Sequence, residues 1–489
     1  MAQFPNAPHQ RVLPTRSEPM ARGFADFLGG APGAHAVIGR ANFWTPLRVM
    51  LALSAAFLSL GWMQKANCLR TGIGADGPFT NWGGSRQYTS ACYSDIIVLY
   101  QGRGFDQLGA PYSYSWQDDG LTRYLEYPVV TGLFQWLMAA ITKPVTAAWE
   151  ALPLPQAAPS SLNFGVTAVF LAACWMASCA IVARLAGNRT WDTVLMAASP
   201  LAIVHAFTNY DTLSILFAVG CLALWAHNRP GWAGVVGGLG VAAKLWPAFV
   251  IGALILLCLR ARTWKALVRL VAGTLGAWAA INLPIVLTQP QAWGEFFRLN
   301  SSRGWEGSTI YAVIAHLTGQ EAWNGTTPSR VIEGVGTLNI ITFVLLVVCL
   351  CGLAGVVFTA RQQPRVAQVA FLAVLAFMIT NKVWSPQYSL WLVPLLVLAL
   401  PRWRLVMSWA ALEAVYWYLR MWTFLPAEHA APDWLVDTVT LIRLGLLVAM
   451  AVIVIRQMLG RSVDTVRAAH GGRDPLAGAC AEKMTKETR

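Results

Sequence analysis

Hydrophobic residues in this chain occur in long runs that are separated by short polar segments. About a dozen such runs, each of roughly 15–24 residues, lie between positions 47 and 456. A hydrocarbon core needs about 20 helical residues to span it, and lipid offers the backbone no hydrogen-bond partner. The pattern therefore predicts an all-α polytopic membrane protein with about 12 transmembrane helices.

The apolar runs divide the chain into a membrane domain, 47–456, and two tails. The first tail, 1–46, is polar and rich in proline and glycine, which predicts a disordered cytoplasmic segment. The second tail, 457–489, follows the last run and is predicted to be cytoplasmic as well. Two long connections within the membrane domain, 64–160 and 289–335, are predicted as large outer loops.

Composition and charge agree with this interpretation. Hydrophobic residues make up 56% of the chain and charged residues only 12%, about half the share that is usual in soluble domains. The net charge of +13 is concentrated in short connections, which is typical of cytoplasmic loops and not of a nucleic-acid surface. These basic residues are Arg184, Arg189, Arg229, Arg260, Arg262, Lys265, Arg269, Arg361, Arg365, Arg402 and Arg404.

Two apolar segments need separate treatment. Counting 129–141 as a crossing would place every later basic connection outside, so this segment is predicted to dip into the membrane or to lie along it. The continuous run 193–207, in contrast, predicts one ordinary span that leads to the outer turn before Asp211.

Two acidic residues lie close to the predicted outer ends of helices. Asp95 precedes a short apolar stretch, and Asp211 follows Asn209 and Tyr210 in an outer turn. A carboxylate at a helix start is a common capping residue, whereas an ionisable group at membrane depth is expensive and usually functional. Both interpretations stay open, and the functional one is a shared catalytic site.

Among single residues, Lys244 is the strongest candidate for a functional charge at membrane depth. The preceding apolar segment, 232–243, is too short to cross the membrane, because its helix would reach only about 18 Å. Lys244 is therefore expected to turn within the outer half of the bilayer, where its ammonium needs an anion. Asp211 and a lipid phosphate are the two candidate partners.

Two further groups of polar residues mark outer segments. One group precedes the segment 129–141, and the other lies in the turn 381–388. Each is a candidate for binding substrate, although interfacial anchoring explains such residues equally well. The candidates are Arg123, Glu126 and Tyr127 in the first group and Lys382, Gln387 and Tyr388 in the second.

The nine cysteines show no spacing that is typical of a metal site. Cys68 and Cys92 both fall in the first predicted outer loop, where disulfides persist. A bond between them would close a loop of about 25 residues and contribute about 3 kcal/mol to stability. We therefore predict this disulfide.

Several short motifs together resemble the GT-C class of membrane glycosyltransferases. They are an Asp in a long first outer loop, Tyr127-Pro128-Val129, Asn209-Tyr210-Asp211 and Lys244-Leu245-Trp246-Pro247. Their order is most similar to glycosyltransferase family 87, whose actinobacterial members use polyprenyl-phosphate mannose or arabinofuranose and carry YPP-like and K-[LYF]-x-P-like motifs. The stretch 381–391 also resembles the NKV-x-SQY-x-LW motif of the GPI mannosyltransferase I family.

The chain departs from the family pattern at two places, and the second departure affects the predicted base. Val129 stands where a second proline is usual, and Gln387 with Tyr388 stand where some members have a histidine in the late outer turn. The base is therefore assigned to Asp95, with Asp211 as the next candidate.

The resemblance implies a function for the chain. Family members move one sugar from a polyprenyl-phosphate donor to a lipid-linked cell-envelope glycan, with inversion, at the outer face of the plasma membrane. Mannose is favoured over arabinofuranose, and no cofactor or metal is expected. Lys244 would then bind the donor phosphate, with Arg123, Glu126, Tyr127, Asn209, Lys382, Gln387 and Tyr388 binding substrate. A twelve-span secondary transporter and a non-catalytic assembly scaffold are the alternatives.

Overall fold

The computed structural model describes residues 11–30, 43–319 and 335–481. The rest of the predicted tails and part of the predicted loop 289–335 lie outside the described residues. The described chain is mostly helical, as the apolar runs predict, and five of its helices are long and apolar enough to cross a membrane. These are α3 (Pro46–Lys65), α7 (Pro159–Leu185), α13 (Trp264–Thr288), α16 (Val335–Thr359) and α20 (Asp433–Met458).

Further apolar helices pack among these five, and most of them are shorter. Glycines in the helix that precedes Lys244 allow very close helix packing, because a Cβ at Gly234 would lie 2.1 Å from the carbonyl oxygen of Leu270 in α13. The helices are α10 (Asp211–Ala226), α11 (Pro230–Ala243), α12 (Pro247–Ala261), α17 (Val366–Thr380), α18 (Leu392–Ala399) and the longer α19 (Trp403–Trp422).

The run 193–207 was predicted as one span, and the structure corrects this prediction. A 3-10 helix, Gly187–Thr193, is followed by α8 (Val194–Ala197) and α9 (Pro200–His205). Pro200 has no backbone N–H and disfavours helical geometry in the residue before it, so the helix breaks at this point. The segment after α17 is broken similarly, because a 3-10 helix at Pro386–Trp391 precedes α18.

The segment between α3 and α7 contains two hairpins, short helices and one helix of 22 residues. Two antiparallel hairpins form within it, with Thr71 opposite Thr80 and Ser115 opposite Tyr124. The segment predicted to dip into the membrane, 129–141, belongs to one helix that continues past Pro144. The elements are β1 (Thr71–Gly74), β2 (Gly77–Thr80), α4 (Arg86–Thr89), α5 (Asp95–Gly102), β3 (Ser115–Asp118), β4 (Leu121–Tyr124) and α6 (Val129–Glu150).

Short helices also occur in both tails and after α13. Part of the predicted disordered tail is helical, and the C-terminal segment packs back on the bundle, where Asp464 pairs with the buried Arg365 at 2.7 Å. These helices are α1 (Pro14–Ser17), α2 (Pro19–Phe27), α14 (Pro290–Ser302), α15 (Ile310–Thr318) and α21 (Thr465–Ala469).

Candidate active site

A cavity of about 750 Å³ lies where α5 begins and where α11 and α17 end. Its wall brings together residues that are more than 290 positions apart in the chain, from Asp95 to Tyr388. Eight of the ten residues predicted to act in catalysis or substrate binding line it. They are Asp95, Glu126, Tyr127, Asn209, Lys244, Lys382, Gln387 and Tyr388.

Asp95 faces this cavity and accepts hydrogen bonds from neutral donors. The Tyr93 hydroxyl donates to Oδ1 at 2.8 Å, and Nδ2 of Asn209 donates to Oδ2 at 2.5 Å. The same Asn209 nitrogen also donates to the Tyr127 hydroxyl at 2.8 Å. Ser94, and not Asp95, is the N-cap of α5, since its hydroxyl accepts from the backbone N–H of Ile96. Helix capping therefore does not account for the Asp95 carboxylate.

The backbone around Asp95 is fixed from several sides. Its N–H donates to the carbonyl of Thr208 at 2.9 Å, just before Asn209. The buried ammonium of Lys65 donates to the carbonyl of Tyr93 at 3.0 Å. The Sγ atoms of Cys68 and Cys92 are bonded in the structure, with their Cα atoms 5.6 Å apart. These contacts hold the carboxylate in one position relative to the cavity.

The surroundings of Asp95 also change its acidity. Burial raises the pKa of its carboxyl above the usual range, while the hydrogen bonds from Tyr93 and Asn209 offset part of that increase. The charge of Asp95 in turn raises the pKa of Tyr93 far above its usual range, so this hydroxyl stays protonated and donates. A carboxylate with a raised pKa that faces a cavity is suited to accept a proton.

Asp211 differs, because it is completely buried at the start of α10 behind the cavity wall. Its Oδ1 accepts from the Lys244 ammonium at 2.6 Å and from the Trp391 indole at 2.6 Å. Asp211 is therefore the protein partner of Lys244, one of the two candidates that the sequence leaves open.

Lys244 still reaches the cavity, with 17% of its side chain exposed. Its Nζ lies 5.0 Å from the ring centroid of Tyr388 and 5.5 Å from that of Trp391. These two rings are stacked, with centroids 4.1 Å apart, and Trp246 stacks on the other side of Trp391. The ammonium is thus held by one carboxylate and two aromatic faces.

A second group of cations lines the cavity at its α14–α15 side. The Lys382 ammonium donates to the carbonyl of Arg303, and the Arg420 guanidinium lies against Gly307. Glu306 lies between Arg303 and Gly307 in the chain, and its carboxylate accepts a hydrogen bond from Ser385 at 3.1 Å. Burial lowers the pKa of Lys382 to about 8, and the nearby charge of Arg303 acts in the same direction. This wall of the cavity carries a surplus of positive charge.

A buried ion pair supports the segment that carries Lys382, Gln387 and Tyr388. Glu413 and Arg443 are both inaccessible to solvent and lie 3.3 Å apart. Ser389 donates to Glu413 at 2.9 Å, and the Arg443 guanidinium lies 4.1 Å from the ring centroid of Trp384. The pair therefore contacts this segment on both sides of Gln387.

Arg123 does not belong to the cavity wall, although the sequence suggested it as a substrate-binding residue. It lies in β4, where its guanidinium pairs with Glu295 at 2.8 Å and with Asp118 at 3.0 Å. Glu126 does line the cavity, and it is paired with Arg103 at 2.6 Å. In the structure Arg123 links the β3–β4 hairpin to α14.

Sequence reasoning missed several residues of the site. Tyr93 stands two positions before Asp95, and its hydroxyl was a visible candidate partner. No local pattern identifies Arg303, Glu306 or Arg420, since each reaches the cavity only through tertiary packing. Within the ranges that the structure describes, no group of three or more His, Cys, Asp or Glu residues is arranged to hold a metal ion.

Comparison with known proteins gives one family. The model of glycosyltransferase family 87 matches residues 142–386, just over half of the chain. The match contains Asn209, Asp211, Lys244 and Lys382, and it begins after Asp95. No curated protein matches the chain.

Proposed function

Since the chain belongs to glycosyltransferase family 87 and is a glycosyltransferase, we propose that it transfers one sugar from a polyprenyl-phosphate donor to a lipid-linked cell-envelope glycan. Membership in a family of glycosyltransferases argues against the two alternatives, a secondary transporter and a non-catalytic scaffold. The proposal includes a GT-C-like architecture with about 12 membrane helices, inversion at the sugar, and an active site at the outer face of the plasma membrane. Mannose is the favoured sugar, with arabinofuranose as the second candidate.

The observation that carries the proposal is one cavity that holds a carboxylate, several cations and an apolar wall. Asp95, whose bonded donors are neutral, is the carboxylate, and Lys244 and Lys382 are cations that line the same cavity. Aromatic and aliphatic side chains that suit an isoprenoid chain line the same cavity: Phe296, Phe297, Leu299, Met421 and Phe424. A lipid phosphate that carries a sugar needs these three kinds of surface together.

Asp95 acts as the general base in the proposed reaction. Its carboxylate takes the proton of the acceptor hydroxyl while the hydroxyl oxygen attacks the anomeric carbon. The bond from that carbon to the phosphate oxygen breaks on the opposite face, and polyprenyl phosphate leaves with the bonding electron pair. One displacement inverts the configuration at the anomeric carbon. The donors Tyr93 and Asn209 hold the carboxylate in place for this step.

Cations stabilise the departing phosphate. Its charge grows as the bond breaks, so a fixed cation favours the transition state more than the bound donor. Lys244 is already positioned by Asp211, and Lys382 lines the same cavity beside Arg303. Tyr127, Gln387 and Tyr388, which line the cavity, are the proposed contacts for the sugar.

The test is direct transfer by the purified full-length protein in lipid nanodiscs. Radiolabelled polyprenyl-phosphate mannose, polyprenyl-phosphate arabinofuranose and a sugar nucleotide are supplied in separate reactions, each together with a lipid extract that provides acceptors. We expect label from one donor to enter a lipid-linked glycan, and we expect Asp95→Asn protein to transfer it about 10²–10⁴-fold more slowly. Transfer from a sugar nucleotide and from neither lipid donor would contradict the proposal.

The proposed orientation has its own test, with cysteines introduced at the half-exposed position 118 and at the exposed position 264. Asp118→Cys should react with a membrane-impermeant maleimide in intact cells, whereas Trp264→Cys should react only after the cells are opened. Trp264 begins α13 beside the basic connection that is predicted to be cytoplasmic. Labelling of position 264 in intact cells would overturn the outward-facing active site.

A further inference from the structure

Helix α2 has an apolar face that no part of the described chain covers. Met20, Phe24, Phe27 and Leu28 recur at spacings of four, three and one, which places them on one side of the helix. Their exposed fractions are 43%, 63%, 83% and 68%. Four large apolar side chains next to one another at the surface indicate a binding partner of apolar character.

The position of α2 is set by contacts to the end of a membrane helix. The Glu18 carboxylate, directly before α2, lies 3.6 Å from the guanidinium of Arg189. The backbone N–H of Val12 donates to the carbonyl of Asn188 at 2.8 Å. Asn188 and Arg189 follow α7, which is long and apolar enough to span a membrane and ends at Leu185. Helix α2 therefore lies at the level where a spanning helix leaves the bilayer.

The charges around α2 have one predominant sign. Arg11, Arg16 and Arg22 are exposed in this segment, and Glu18 is already engaged by Arg189. Asp26 is the remaining acidic residue among positions 11–30. An apolar face beside exposed arginines is the pattern of a helix that lies in the interface of an anionic membrane.

The beginning of α3 extends the same surface. Phe43 and Trp44 directly precede this membrane helix, and they are 63% and 59% exposed. The Arg48 guanidinium stacks over the Phe43 ring at 4.5 Å. Aromatic and basic side chains in this combination are typical of the membrane interface.

We infer that α2 lies in the headgroup region of the bilayer, with Met20, Phe24, Phe27 and Leu28 inserted among the lipid chains and Arg16 and Arg22 on anionic headgroups. The partner is thus an anionic lipid surface on the side of the membrane where α7 ends. This role is independent of the sugar transfer, because α2 contributes no residue to the cavity wall.

The experiment uses two full-length proteins, each with one small environment-sensitive fluorescent amino acid. One protein carries it at position 27, and the matched control carries it at position 26. Both positions are exposed in the structure, but Asp26 lies on the polar side of α2. The proteins are reconstituted into nanodiscs of phosphatidylcholine with or without 30% phosphatidylglycerol, on the order of the anionic content that binds basic interfacial helices. Lipids brominated close to the headgroup serve as quenchers.

We expect strong quenching and blue-shifted emission at position 27, and solvent-like emission at position 26. The difference should be larger with phosphatidylglycerol, and Arg16→Gln with Arg22→Gln should remove that lipid dependence. Solvent-like emission at position 27 in both kinds of nanodisc would overturn the inference and leave a protein partner as the occupant. Equal quenching with and without phosphatidylglycerol would overturn the assignment to anionic headgroups.

Discussion

The two carboxylates that the sequence suggested for catalysis stand in opposite environments. Asp95 faces the cavity and is held by the neutral donors Tyr93 and Asn209, so its negative charge is not cancelled by a bonded cation. Asp211 is fully buried, and its oxygen receives both the Lys244 ammonium and the Trp391 indole. Proton transfer needs a carboxylate that substrate can reach and whose charge is still available. This difference favours Asp95 over Asp211 as the proposed base, and it assigns to Asp211 the positioning of the Lys244 ammonium.

The strongest test of this comparison is removal of the charge at Asp95. Asp95→Asn keeps the shape and one acceptor oxygen of the side chain but cannot accept the proton. We expect kcat to fall by about 10²–10⁴-fold, the usual contribution of a general base. Binding of the sugar donor should stay near its original value, because Tyr93 keeps an acceptor at Oδ1. The unfolding temperature should fall modestly, because Asn209 loses its acceptor at Oδ2 and one hydrogen bond to a charged group contributes about 1.5–3 kcal/mol. Turnover near the original value would move the base to another residue, with Asp211 the first to examine.

The second test breaks the ion pair on the other side of the comparison. Lys244→Met leaves the Asp211 charge buried and unpaired, which should cost about 3–5 kcal/mol of stability. Adding Asp211→Asn should restore most of the unfolding temperature. If Lys244 also contacts the donor phosphate, the double variant stays slow although it is stable. Recovery of both stability and turnover would limit Lys244 to neutralising Asp211. Thermal unfolding in detergent, measured beside the transfer assay, distinguishes these outcomes.

The third test concerns how the Asp95 side of the cavity is held. Cys68 and Cys92 close a loop that ends three residues before Asp95, whereas Asp211 lies in a regular helix that needs no such link. Titration of the unfolded protein without reductant should find seven thiols, those of the free cysteines. The double change Cys68→Ser with Cys92→Ser should lower stability by about 3 kcal/mol. Cys351→Ser is the control, because this exposed thiol is free. Nine titrating thiols would rule out the bond.

The sequence predicted which residues line the candidate cavity better than it predicted the course of the helices. Lys244 could be placed because the apolar segment before it is too short to cross a membrane, and α11 does end at Ala243. The run 193–207 could not be predicted as broken from hydropathy, which registers apolar character but not the effect of Pro200 on the backbone. The lengths of the apolar runs and the composition therefore predicted the class of fold and the positions where several helices end. They did not predict where an apolar run is broken.

Residues that join the site through packing could not be predicted either. Arg123 was favoured because it stands near Tyr127 in the chain, yet β4 directs its guanidinium to Glu295. The buried pair Glu413–Arg443 lies in two apolar helices, where a single charge gives no indication of its partner. Such contacts depend on how distant helices pack, and one sequence does not contain that information in any local pattern.

The smallest expected effect concerns pH and the second group of cations. Burial lowers the pKa of Lys382 to about 8, so its ammonium loses its charge as the pH rises through that value. If this cation contacts the donor phosphate, kcat/KM should fall by up to about fivefold between pH 8 and pH 9, because the charged fraction of the ammonium drops from about one half to about one tenth. Lys382→Arg should remove this decline, because a guanidinium stays charged over the whole range. Lys265→Arg, at an exposed position near the start of α13, is the control and should keep the decline. An unchanged alkaline limb in Lys382→Arg would assign the titration to another group and leave Lys244 as the cation on the departing phosphate.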